Sequence, residues 1–352
     1  MTWQDTRLTE LLGIRTPIIQ APMAGASTPA MAIAAAGAGA LGSLGCAMMS
    51  PDKVRVDASQ ALKRSNGAIN LNFFCHEKPH VDPGINAAAV ARLAPWYEHF
   101  GVSEITAPSE NNVPFDAAMC DVLLELRPRV ASFHFGLPAS EEVARLKDAK
   151  IIILSSATSA AEARWLEDHG ADAIIAQGAE AGGHNGWFLG PEGDVAGLFS
   201  LLPRVVDATS LPVIAAGGIA DGRGIAAAFA FGASGVQVGT AFLASPESAV
   251  PEVHKEAVVR ATGDDTMASR AFSGRSARTI TNAYAKEMAS VDDWPDFPLM
   301  NAATGPLRAA SAAADLPDAV SLWSGQGVGL ARAETTRATI DRLVAETDAI
   351  LG

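Results

Sequence analysis

Short apolar runs alternate with helix-forming segments over residues 1–245, and this alternation limits the possible folds more than any other feature. Eight such runs lie at 17–23, 39–45, 68–74, 130–136, 151–156, 172–176, 212–218 and 235–240. Each is too short for a globular helix and is apolar with little alternation. That pattern belongs to parallel strands covered on both faces. Eight strand–helix units is the number that closes a TIM (β/α)8 barrel. An open doubly wound sheet is the alternative, but no G-x-G-x-x-G follows the first run.

Helix starts are legible between the runs. Ser27-Thr28-Pro29 and Ser50-Pro51-Asp52 each place a hydroxyl at the cap with proline just inside. Residues 79–114 break the rhythm and read as an insertion above the third strand, with a helix over 86–100. From 246 the repeat is lost. Helices are expected over 251–262, within 295–317 and over 333–350, while 269–279 is polar and glycine-containing. The expected organisation is a barrel over 1–245, a mostly helical cap over 246–332, and a last helix over 333–352 that returns to the barrel.

The formal charge of −13 argues against a nucleic-acid partner or an anionic membrane surface. No apolar run is long enough to span a bilayer. Met1-Thr2-Trp3-Gln4-Asp5 lacks the basic and apolar regions of a signal peptide. Cys46, Cys75 and Cys120 are too widely spaced for a metal site and read as isolated thiols. A cytoplasmic protein without metal, monomeric or homodimeric, is the expectation.

In this barrel class the site lies at the C-terminal ends of the strands. Gly217-Gly218 follows the seventh run and Gly239-Thr240 the eighth, so their amides suit a phosphate. Gln20, Asn72, Gln177 and Gln237 end otherwise apolar strands and suit a heterocycle with several donors and acceptors. Residues 177–186 form a glycine-rich loop that should overhang the mouth and deliver His184, a base that titrates near neutrality. His134 either lines a substrate pocket or is a satisfied core residue. Glu180 is expected in solvent; Arg275 and Arg278 could neutralise a phosphate, but two surface arginines are the commoner outcome.

Together 17–25, 72–74, 131–136 and 177–186 resemble the four motifs of class I nitronate monooxygenases, formerly 2-nitropropane dioxygenases. Residues 213–218 and 237–243 are similar to that family too. The resemblance implies FMN as cofactor. It implies flavin contacts at Met23, Asn72, Gln177, Gly182, Gly217, Gly218, Gln237, Val238, Gly239 and Thr240, and a catalytic base at His184. It implies oxidation of nitronates such as propionate 3-nitronate by O2, via a flavin semiquinone, to a carbonyl compound and nitrite. In the cap, 297–301 keeps the family's character but lacks tyrosines that can occur there. Two other readings remain: an FMN-dependent enoyl-acyl-carrier-protein reductase using NAD(P)H, which shares the Gly-Gly-His loop, and a non-catalytic flavin- or phosphate-binding barrel.

Overall fold

Eight parallel strands form one sheet: Ile18–Gln20 (β1), Gly42–Gly45 (β2), Ile69–Phe74 (β3), Val130–His134 (β4), Ile152–Ala157 (β5), Ala173–Gln177 (β6), Val213–Ala216 (β8) and Gly235–Val238 (β9). Their order is β1-β9-β8-β6-β5-β4-β3-β2, and a parallel bridge from Ile19 to Leu41 joins the two ends. The result is the expected (β/α)8 barrel. This computed structural model describes all residues except Met1, Thr2, Gln4, Asn66, Glu110, Asn111, Asn112, Gly193 and Asp194. Part of the terminus read above for a leader, and part of the 79–114 insertion, therefore lie outside the described residues.

The helix signals act as their chemistry requires. Thr28 accepts a hydrogen bond from Met31 N at 3.1 Å, and Ser50 from Lys53 N at 3.3 Å, each with proline in the first turn. Strand parity is equally direct. Ile69, Leu71 and Phe73 of β3 face the outer helices, in a cluster with Val54, Ala58 and Leu123. Asn70 and Asn72 therefore point into the barrel, where they donate to Ser43 Oγ (3.1 Å) and Ser132 Oγ (2.9 Å).

The helix Arg7–Leu12, only six residues long, carries no periodic signal and escapes the sequence reading. It buries Leu8 and Leu12 completely against Ile19, Leu41, Leu154 and Ile214. The N-terminal end of the barrel is thereby plugged with side chains. The other end is left for chemistry.

The region after 246 differs from its expectation in one respect. Besides the helices Glu252–Arg260 and Leu299–Ala313, it holds Thr266–Ser269 (β10) and Ala277–Ile280 (β11). β10 pairs antiparallel with β11, and β11 with a two-residue strand, Gly183–His184 (β7). Strands this short lack a readable period. The helix Pro83–His99 of the insertion packs on Leu299–Ala313, and Tyr97 Oη donates to Ala303 O at 2.6 Å. Ala89, Leu93 and Tyr97 share one apolar cluster with Phe272, Tyr284 and Met300. The last helix, Thr336–Leu351, packs on Gly222–Ala230 and Pro29–Ala38. Among the described residues no helix is long and apolar enough to cross a membrane.

Candidate active site

A cavity of about 570 Å³ lies over the C-terminal ends of the strands. This falls within the range of small-molecule sites. Met23, Asn72, Gln177, Gly182, Gly217, Gly218, Gln237, Gly239 and Thr240 all line it, as do His134 and His184. Two residues expected near a ligand do not. Val238 turns its side chain into the core between sheet and helices, so only its main chain is near the mouth. Gln20 is fully buried and accepts from Ser43 N at 2.9 Å, a latch between the first two strands.

The floor is a set of unused donors and acceptors. Among the described residues the amides of Gly217, Gly218 and Gly239 meet no backbone carbonyl. Gly217 and Gly218 hold φ of 123° and 69°, a left-handed turn that favours glycine. Thr240 is committed elsewhere, its Oγ1 accepting from Gly325 N at 2.9 Å. Gln237 Oε1 is buried without a hydrogen-bond partner. An orphaned amide oxygen is costly unless a ligand donates to it.

His184 does not sit on a free loop. As β7 it is paired with Ala277, so the imidazole is fixed between barrel and cap. Its carbonyl is held from below by two strand-end side chains, His134 Nε2 at 3.1 Å and Gln177 Nε2 at 3.0 Å. Gln177 Oε1 also accepts from Gly186 N at 2.7 Å. Gln177 thus spends both ends of its amide on the loop. The glycine at 182 answers to the cap: a Cβ there would come within 2.5 Å of Gly325 N.

His134 both lines the cavity and is satisfied. Because Nε2 meets a carbonyl, which only accepts, Nε2 carries the proton. Nδ1 then accepts from Ser156 Oγ at 2.9 Å. His134 is neutral and engaged at both nitrogens, a positioning residue.

The His184 ring stands among Phe74, Phe297 and Trp323, at 6.3, 5.2 and 5.5 Å between centroids. Removal from water pushes its pKa down to about 3, and nearby His134, Arg275, Arg308 and His76 push it the same way. Burial likewise lowers His134 and His254 to about 4. In the unfolded chain all three would titrate near 6.5. Between those limits the unfolded state binds more protons, so stability rises with pH through the window. The unfolding free energy should therefore fall as pH drops from about 6.5 toward about 4. Denaturant titrations across that range check it; equal stability at both ends would mean these imidazoles are charged in the folded protein.

Three further residues depart from the sequence reading. Glu180 is half-buried, and both carboxylate oxygens accept from Leu198 N (2.8 and 2.9 Å), capping the helix Leu198–Val206. Arg275 is stacked between Phe135 and Trp187, its guanidinium carbon 4.0 Å from each ring centroid. Arg278 donates to Ala179 O at 2.8 Å. Neither arginine lines the cavity. The cation that does is Arg308, which the sequence reading missed. Its Nη2 donates to Asn301 O and Oδ1, both at 2.9 Å, while Nε is buried without a partner. Burial lowers its pKa to about 10.

Comparison with known proteins covers nearly the whole chain. A family model described as nitronate monooxygenase matches residues 5–346. A nitronate monooxygenase of Pseudomonas aeruginosa is 40% identical over 346 residues, covering 96% of this chain and 99% of that protein. Among solved structures, a nitroalkane oxidase from Streptomyces ansochromogenes superposes with a TM-score of 0.87 at 38% identity, covering 97% of this chain and 98% of that one. FabK from Thermotoga maritima gives 0.76 at 32% identity, covering 99% and 98%.

Proposed function

The chain belongs to the nitronate monooxygenase family of oxidoreductases, and from that premise we propose that it binds FMN at the barrel mouth and oxidises alkyl nitronates with O2 to a carbonyl compound and nitrite. The observation that carries this reading is the uncompensated positive charge in the cavity. Arg308 lines it beside His184, and among the described residues no carboxylate meets its guanidinium. The acid that also lines the cavity, Glu180, is turned onto Leu198 N. A half-buried cation with no carboxylate partner among the described residues suits an anionic substrate. A nitronate is such an anion and is already a carbanion equivalent.

The lining fits FMN in its chemistry. The free amides of Gly217, Gly218 and Gly239 suit the phosphate. Gln237 Oε1 lacks a donor, and Asn72, whose Nδ2 is held by Ser132, lines the cavity. These suit the polar edge of an isoalloxazine. Met23, Gln177 and Gly182 would meet the ring through the walls they form, and Val238 only through its main chain. FMN, when bound, supplies the electron acceptor that no side chain can. The protein's own residues bind and orient the anion through Arg308. The aromatic wall of Phe74, Phe297 and Trp323 excludes water. For a neutral nitroalkane, His184 would take the α-proton.

We read residues 246–332 as the cap that supplies Arg308 and Trp323, over a barrel of 1–245 closed by 333–352. The test is nitrite release with O2 uptake on a panel of nitronates that includes propionate 3-nitronate. Turnover is expected; a flavin-loaded protein inert toward every nitronate would overturn the reading.

A further inference from the structure

The basic nitrogen of His184 is selected by a residue outside the cavity. Nε2 of His184 lies 2.8 Å from Ser273 Oγ, and Ser273 is fully buried. The same hydroxyl lies 3.2 Å from Arg275 O. One hydroxyl proton cannot serve both. Among the described residues no other donor reaches Arg275 O. Ser273 Oγ is the donor the structure gives Arg275 O in this half-buried stretch, and a carbonyl that loses its donor there is destabilising. The proton therefore goes to Arg275 O, and Oγ accepts from His184 Nε2–H. A neutral imidazole carries one N–H, so Nδ1 holds the lone pair. Among the described residues Nδ1 of His184 has no partner, and the ring lines the cavity.

The anchor of this arrangement is itself fixed. Arg275 is stacked between Phe135 of the turn after β4 and Trp187 of the turn after β7. Its Nε and Nη2 donate to Asn185 O and Trp187 O. The carbonyl that Ser273 uses is thus tied to the same loop that carries His184.

Resting on the reading of His184 as the base, we propose that Ser273 is the positioning residue that holds His184 as the Nε2–H tautomer, making Nδ1 the atom that receives the α-proton of a neutral nitroalkane. In that step the α C–H bond breaks and an Nδ1–H bond forms. The electron pair passes into the nitro group to give the nitronate, and Nε2–H stays on Ser273. An anionic nitronate needs no such transfer, so Ser273 bears on one substrate class more than the other.

The test uses flavin-loaded protein labelled with 15N-histidine, with the His184 signals identified by their loss in His184→Gln. Parent protein near neutral pH should show Nε2 protonated and Nδ1 bare. In Ser273→Ala the ratio of nitroalkane to nitronate kcat/KM should fall by about 10- to 100-fold, and Ser273→Thr should restore it. Protonated Nδ1 in the parent, or an unchanged ratio in Ser273→Ala, would overturn the proposal. A parent that turns over neither substrate would overturn the function instead, and the tautomer would still be read from the spectrum.

Discussion

His184→Ala is expected to lower kcat/KM for neutral nitroalkanes by about 10²–10⁴-fold, the usual worth of a positioned base. Nitronates should lose far less, because they arrive without the α-proton. The asymmetry follows from the place of the ring. It is strapped to Ala277 through β7, its carbonyl is held by His134 and Gln177, and its side chain faces the cavity. The substitution removes the imidazole and leaves the strand pairing and the carbonyl clamp, which are main-chain contacts. Retention of flavin in the variant, read from its visible spectrum, separates loss of chemistry from loss of the site. Equal losses on both substrate classes would remove His184 from the role of base. With its pKa near 3, the free imidazole is unprotonated throughout the neutral range. Nitroalkane activity should therefore not fall until the pH is well below the ordinary histidine range.

Arg308→Met is expected to raise KM for nitronates by about 10- to 100-fold, with a smaller change in kcat. A hydrogen bond to a charged group contributes about 1.5–3 kcal/mol, and each 1.4 kcal/mol is about tenfold in affinity. Arg308 holds one such donor in reserve, since Nε is buried and unpartnered. Its Nη2 contacts with Asn301 aim the guanidinium without neutralising it. Arg308→Lys should recover part of the loss through charge alone, because lysine lacks the planar fork. Steady-state kinetics on matched nitronates reads this directly. Unchanged KM in Arg308→Met would show that the substrate anion is bound elsewhere.

What the sequence makes legible, and what it does not, follows element length and burial. The barrel strands announce themselves as continuous apolar runs, because parallel strands are covered on both faces. Thr28 and Ser50 announce their helices through local cap chemistry, which needs no tertiary context. The Gly217-Gly218 and Gly239-Thr240 turns can be placed at the mouth once the strands are counted. Arg308 cannot be found this way. On the helix Leu299–Ala313 it reads as an ordinary polar-face cation, and only the packing of that helix over the mouth brings it to the cavity. The same holds for Ser273 and for the three-stranded sheet that captures His184. Both depend on contacts between residues some ninety positions apart, as the 2.8 Å link from His184 to Ser273 shows. Glu180 is the instructive local case. It lies on a turn, where a carboxylate is usually solvated, yet the first amide of the following helix is turned onto it.

The oxidase reading and the enoyl-reductase reading share the barrel, the glycine-rich floor and the loop at His184. They differ in what gives electrons to the flavin. Anaerobic mixing of the flavin-loaded protein with propionate 3-nitronate, and separately with NADH, tests this most directly. The structure predicts that the nitronate, drawn to Arg308, bleaches the flavin's visible absorbance, and that admitting O2 restores the colour with release of nitrite. Rapid bleaching by NADH with none by the nitronate would contradict the account.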